Sequence, residues 1–191
     1  MIKTYSNTLS KEFCDHCIEK FEKDPNKKQG LIGKGQVDLE MKDSMDLAIG
    51  FFPEWKEEDK IFYDSLKPYV EQYRIDNPFP YVQFDNYFDT GYQIQRTVPG
   101  TVGYDWHHDW ICVKETLGFF SMRCLTYIWY LNDIDVDGET EFKNTGDKIK
   151  PEAGKLLLFP SDWTHVHRGI PPKNQTKYIS TGWIYSRLLP L

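Results

Sequence analysis

The chain has 191 residues, one domain's worth, enough to bury roughly 70% of the surface its unfolded form would expose. Its 23 Lys and Arg stand against 29 Asp and Glu for a formal net charge of −6, so no long-range field draws it to phosphate backbones and nucleic acid is set aside as a partner. With 40% hydrophobic and 16% aromatic residues, disordered and collagen-like chains are excluded and a folded core is expected.

The first residues, Met1 to Lys20, lack the uninterrupted apolar stretch of a secretory signal, and the longest aliphatic run, Leu156 to Phe159, is too short to span a bilayer. A soluble cytoplasmic protein with no membrane partner is expected. Ser10 is the predicted N-cap of a first helix from Lys11 to about Lys23, which ends before Pro25. Within it Cys14-Asp15-His16-Cys17 spells a CxxC. Phe13, Cys17 and Phe21 recur at helical spacing with Cys14 and Ile18 beside them, so the cysteines read as small apolar residues of a buried stripe, not as half of a zinc site. Residues 26–36, rich in Gly and Lys, read as a loop. A second helix is predicted from Glu54 to about Arg74, with Pro68 expected to kink or break it.

Beyond Pro78 short aromatic and β-branched runs alternate with Gly, Pro, Asn and Asp. Strands are predicted at 81–88, 92–97, 103–110, 122–131, 155–159, 164–170 and 177–186. The expected organisation is one domain over residues 1–191: a helical part, about 1–78, packed on a β core, about 79–191.

Four of the five histidines fall in two clusters, Trp106-His107-His108-Asp109-Trp110 and Trp163-Thr164-His165-Val166-His167. Residues two apart share a strand face, so His107 and Asp109 point one way, and either His165 or His167 could complete a set of three ligands from a neighbouring strand. Two imidazoles and one carboxylate cover one face of an octahedral metal and leave the opposite face open, the arrangement that non-haem Fe(II) oxygenases use. On the last strand, alternation places Lys177, Ile179, Thr181 and Trp183 on one face. An inward-facing lysine needs an anion, and an organic acid cosubstrate would supply it.

At this point the chain resembles a known family, the Fe(II)/2-oxoglutarate-dependent dioxygenases, in their prolyl 4-hydroxylase-like branch. The resemblance is carried by Gly103-Tyr104-Asp105-Trp106-His107-His108-Asp109, by the run from Arg123 to Asn132, by Gly138-Glu139-Thr140-Glu141-Phe142, and by Gly154 to Phe159 continuing through Trp183. It implies a mainly β fold with N-terminal helices, a double-stranded β-helix (jelly-roll, cupin-like) barrel. By position it implies His107, Asp109 and His167 as ligands of Fe(II), with His165 as their neighbour. Lys177 and Tyr130 match residues that hold the far carboxylate of 2-oxoglutarate, with Thr181 beside them as a cosubstrate contact. Tyr104, Arg123 and Trp183 match positions that line the target-proline pocket; strand parity does not support Tyr104 or Arg123, which rest on the resemblance alone. The implied reaction uses O2, yields succinate and CO2, and hydroxylates a substrate, a peptidyl proline or else a free amino acid or other small molecule, with ascorbate as an accessory cofactor. Where relatives carry a tyrosine ahead of a Pro-Gly turn, this chain reads Arg96-Thr97-Val98-Pro99-Gly100, which leaves the contacts at the cosubstrate's other end unassigned.

Competing readings are available for the same residues. His107, His165 and His167 could form a three-histidine zinc site that activates water, with Asp109 as an orienting group, or the barrel could bind a ligand without turnover. Asp133-Ile134-Asp135-Val136-Asp137-Gly138 imitates the start of a calcium loop, but Asn144 stands where a bidentate glutamate is needed, and a polar hairpin connection fits better. Trp106, Trp110 and Trp163 suggest a peptide-binding rim, although ordinary packing accounts for at least two of them. The sequence sets no oligomeric state.

Overall fold

The computed structural model describes residues 1–33, 35–77, 87–114 and 120–188. After a short strand β1 (Lys3–Tyr5), helix α1 spans Lys11–Lys23. Ser10 caps it as predicted, its Oγ accepting the Phe13 N–H at 3.1 Å, a contact worth about 1 kcal/mol. The buried side of α1 is Cys14, Cys17 and Phe21, so both thiols belong to the apolar stripe. Burial pushes the Cys14 thiol up to about 11 and raises that of Cys17 as well, which makes them poor metal ligands.

Residues 26–36 are not wholly a loop. They carry strand β2 (Lys28–Gln29) and a bridge between Ile32 and Gln36. Strand β3 (Met45–Ala48) follows, then 3-10 turns that lead into helix α2, Lys56–Asp76. This helix runs through Pro68 without the expected break. The cost of a proline inside a helix is about 3 kcal/mol, whereas burying Phe62, Leu66, Val70 and Tyr73 on either side of it contributes roughly 6–12 kcal/mol.

The remaining strands are β4 (Tyr87–Asp89), β5 (Gln93–Thr97), β6 (Tyr104–His107), β7 (Cys112–Lys114), β8 (Phe120–Tyr130), β9 (Thr140–Phe142), β10 (Lys148–Ile149), β11 (Leu156–Pro160), β12 (His167–Gly169) and β13 (Lys177–Leu188). The strand predicted at 81–88 lies, apart from its last residues, outside the described residues. One sheet has the order β1-β11-β8-β13-β5-β3-β2, with β4 on β13 and β7 on β8; the other runs β10-β9-β12-β6. The first 78 residues are therefore not only helical, because β1, β2 and β3 extend the larger sheet.

Alternation along β8 explains how the layers pack. Leu125, Tyr127 and Trp129 join the core formed with α1 and α2, while Ile128 and Tyr130 point the other way and pack with Phe142 of the smaller sheet and with Leu157 and Phe159. Both faces are buried, which is why β8 reads as a nearly continuous apolar run. The large aromatic side chains keep their polar ends satisfied: Trp55 Nε1 donates to Asp24 and Trp129 Nε1 to Thr8, each at 2.7 Å. The Asp133–Gly138 segment joins β8 to β9 and so crosses between sheets; it is not a hairpin, and its strand flanks exclude a calcium loop. Asp137 and Gly138 turn it with φ of 61° and 85°. Among the described residues no helix is long and apolar enough to cross a membrane.

Two register shifts lie in strands that carry cavity residues, one in each sheet. On β6, His107 pairs with His167 and Tyr104 with Gly169, so two residues of β6 oppose one of β12. On β8, Leu125 pairs with Ile184 and Arg123 with Tyr185, so Cys124 is an extra residue. Each bulge inverts the inside-outside alternation beyond it.

The proline inside α2 generates a direct test. Pro68 is exposed, and Pro68→Ala is expected to raise the urea midpoint, by up to about 3 kcal/mol of stability, with no change in m-value.

Candidate metal centre

His107 ends β6, His167 begins β12, and the two are direct cross-strand partners with ring centroids 4.3 Å apart. Asp109 lies two residues past the end of β6, so its convergence with His107 comes from the turn after the strand and not from strand alternation. His107 Nε2 stands 3.8 Å from one Asp109 carboxylate oxygen and His167 Nε2 3.7 Å from the other. Ligand atoms of the three residues all lie within 4.8 Å of one another.

The ring orientations are fixed from behind. His107 Nδ1 lies 2.7 Å from the Asp105 carbonyl and His167 Nδ1 3.0 Å from the His165 carbonyl, so each Nδ1 carries the proton and each Nε2 lone pair faces the centre. The Thr126 hydroxyl donates to Asp109 Oδ2 at 2.7 Å and is itself 3.0 Å from Ser161 Oγ. Tyr104 stacks on His107 at 3.6 Å, and Phe159 and Phe142 pack on His167. Burial, with the facing His167, pulls the His107 imidazole down to about 4. Burial works to raise the Asp109 carboxyl, but the two imidazoles and the Thr126 hydroxyl outweigh it and hold the acid below its usual range. Neutral imidazoles and an ionised carboxylate are the forms that bind a metal.

His165 does not belong to this set. It sits in a 3-10 turn, Trp163–His165, instead of on the strand with His167, and its Nδ1 faces Thr164 Oγ1 at 2.9 Å and Asp162 at 3.3 Å. Its link to the centre is the backbone carbonyl that holds His167. A three-histidine zinc site is therefore not what the geometry assembles.

A cavity of about 470 Å³ opens on the three ligands, and Tyr104, Arg123, Lys177, Thr181 and Trp183 all line it. The two residues that strand parity left unsupported face inward because of the two bulges. Arg123 lies flat on Trp183, 3.5 Å from the ring centroid, with Nε donating to the Tyr185 hydroxyl at 2.9 Å. Lys177 is 5% exposed and donates to the carbonyls of Gly138 and Ile170 at 3.0 and 3.2 Å, leaving one of three N–H groups for an acceptor in the cavity. Burial pulls its amine down to about 8.

Two expected contacts are placed differently. Tyr130 does not line the cavity; its hydroxyl donates to Thr140 Oγ1 at 2.7 Å, and Thr140 is the residue that reaches the cavity wall. Thr181 lines the cavity, but its hydroxyl donates to the Tyr127 carbonyl at 2.9 Å. The sequence reading missed Thr126, Thr140 and Lys42. Lys42 is buried against the cavity, paired with Asp46 at 2.6 Å and set 5.2 Å from the Tyr104 ring. A threonine three residues after an arginine, or a lysine in a stretch of mixed charge such as residues 38–46, carries no signal that would single it out. Of the three tryptophans, Trp106 lies under Arg168 and Lys143, away from the cavity, while Trp110 meets the 64%-exposed Trp163 edge to face at 6.1 Å.

Two facing sheets that hold two histidines and a carboxylate over an open cavity define the class of non-haem metal centres in double-stranded β-helix folds. Residues 92–185 match the 2OG-Fe(II) oxygenase superfamily. The chain is 34% identical over 119 residues to the "Putative prolyl 4-hydroxylase" of Acanthamoeba polyphaga mimivirus, covering 56% of this chain and 48% of that protein. It is 26% identical over 136 residues to prolyl 4-hydroxylase 13 of Arabidopsis thaliana, covering 60% and 47%. The chain thus spans about half the length of the curated relatives it matches. Among solved structures, the viral collagen prolyl hydroxylase of Paramecium bursaria Chlorella virus-1, in its 2OG complex, is similar in fold, with a TM-score of 0.69 at 23% identity over 97% of this chain and 96% of that one. A prolyl hydroxylase from Trichoplax adhaerens, in complex with a hypoxia inducible factor peptide fragment, gives 0.75 at 19% identity, over 97% and 83%. Residues 92–185 thus belong to the 2OG-Fe(II) oxygenase superfamily, and the chain is prolyl 4-hydroxylase-like.

The Thr126 hydroxyl fixes the carboxylate ligand, so Thr126→Val is expected to weaken metal binding about tenfold to hundredfold in anaerobic Fe(II) titrations without unfolding the barrel.

Proposed function

We propose that this chain is an Fe(II)- and 2-oxoglutarate-dependent dioxygenase that hydroxylates proline in a peptide. The observation that carries the reading is the pairing, in one cavity, of the His107, Asp109 and His167 centre with a buried Lys177 ammonium that has no carboxylate partner among the described residues. The donor set suits ferrous iron: two Nε2 lone pairs and one ionised carboxylate on one side, cavity on the other. When bound, iron and 2-oxoglutarate supply the oxidising chemistry, in which one atom of O2 enters succinate with release of CO2 and the other enters the substrate. The same resemblance leads us to include ascorbate as the reductant that keeps the metal ferrous.

The residues divide the remaining work. Lys177 supplies the counter-charge for the far carboxylate of 2-oxoglutarate, and Thr140, whose Oγ1 accepts from Tyr130, has its own hydroxyl proton free to donate to the same group. Thr181 gives the cavity its methyl group, since its hydroxyl is engaged behind. Tyr104 on His107 and Arg123 on Trp183 form flat walls beside the centre, and a proline ring is an aliphatic plate that docks on such faces. The Phe159 and Phe142 rings keep water from His167.

Three measurements test this. Proline-containing peptides incubated with Fe(II), 2-oxoglutarate and O2 should gain one oxygen atom by mass, with matching succinate; a gain confined to free amino acids would overturn the peptide assignment. His167→Ala should abolish succinate formation while His165→Ala retains part of it; the reverse would move the ligand to position 165. For cosubstrate binding by calorimetry, affinity should be level below about pH 8 and fall about tenfold per pH unit above it, because the amine that must be charged loses its proton there. Lys177→Met should weaken binding about tenfold to hundredfold and remove that pH dependence.

A further inference from the structure

Behind the wall formed by Arg123 and Trp183 lies a second cavity, of about 450 Å³. Gln93, Arg123, Thr181 and Trp183 line this cavity and the metal-site cavity alike, so the two hollows meet across that wall. The lining of the second cavity includes one acidic side chain, Asp59. Asp59, in the first turn of α2, buries Oδ1 where no hydrogen-bond donor among the described residues reaches it. Its neighbour Asp89 is fully engaged, accepting the Gly91 N–H at 2.9 Å and the Tyr92 hydroxyl at 3.4 Å. Burial and the Asp89 charge both raise the Asp59 carboxyl above its usual range.

No side chain from positions 50 and 91 stands beside Asp59 Oδ1, because both are glycines. A Cβ on Gly50 would stand 3.3 Å from Asp59 Oδ1, and one on Gly91 3.9 Å away. Arg123, the cation that shares this cavity, does not answer the carboxylate: its Nε is on the Tyr185 hydroxyl, and a terminal nitrogen is on the Asp109 carbonyl. A carboxylate oxygen removed from water and left without a donor is costly, and an ammonium or guanidinium group supplies both the donors and the opposite charge. Phe51, 83% exposed at the rim, offers an apolar surface on which the aliphatic stem of such a side chain can lie.

We propose that the second cavity is a substrate subsite that accepts a lysine or arginine side chain a few residues from the hydroxylated proline, with the Asp59 carboxylate as its counter-charge. The proposal rests on the peptide reading above, and an extended peptide, advancing about 3.3–3.6 Å per residue, bridges neighbouring hollows of this kind.

The test is steady-state hydroxylation by the iron-loaded enzyme of proline peptides in which one residue, lysine, norleucine or glutamate, is walked along either side of the target. At one position lysine should lower KM about tenfold relative to norleucine, and glutamate should raise it. Asp59→Asn should bring the lysine-to-norleucine ratio at that position to about one. Gly50→Val, which fills the space without altering charge, should do the same and serves if Asp59→Asn does not fold. Peptides hydroxylated with equal KM at every position, or a lysine preference that survives Asp59→Asn, would overturn the subsite and leave the hydroxylase reading standing. If no peptide is bound or hydroxylated, both fall.

Discussion

A carboxylate wedged between two imidazoles, all three lining one side of a cavity, is the constraint that the rest of this molecule serves. Such a group holds its shape only if each member is fixed from behind, because the ligand atoms gain nothing from one another that would orient them. Two backbone carbonyls hold the imidazole protons, Thr126 with Ser161 behind it holds the carboxylate, and aromatic rings close on both histidines. These supports come from both sheets. The centre therefore exists only when the sheets have closed on each other, and the apolar packing of Ile128, Tyr130, Phe142, Leu157 and Phe159 just below it is what closes them.

The helices take no part in the metal centre, yet they set its rigidity. Strands β8 and β13 carry cavity residues on one face and core residues on the other, so every side chain packed against α1 and α2 also limits movement of a residue on the cavity side. The charges divide between the cavities: Lys177, Lys42 and Asp109 line the first, Asp59 lines the second, and Arg123 on Trp183 lines both. A net charge of −6 says nothing of that division.

Much of this was legible in the sequence, for physical reasons that differ from element to element. The two histidine clusters stand out because four of five histidines fall in them, and the period-two pattern from Lys177 to Trp183 survives because β13 is regular there. The α1 stripe and its cap rest on local rules that the tertiary structure did not override. Pro68 misled because its penalty is local while the burial that outweighs it is not. β1, β2 and β3 escaped notice because they are too short to show a period and are strands only by virtue of their partners. Tyr130 was matched by position, but its hydroxyl is engaged with Thr140, and of the two it is Thr140 that lines the cavity.

The bulges on β6 and β8 have a bearing on how such a scaffold changes over time. Each one re-aims a single cavity side chain, Tyr104 or Arg123, by an odd count of residues and not by the identity of any of them. Loss of the supernumerary Cys124 would restore an even ladder and rotate the guanidinium from the barrel's lumen to its exterior, with the barrel itself little altered. In this architecture the number of residues in a strand, and not only their identity, decides which side chain meets the contents of the cavity.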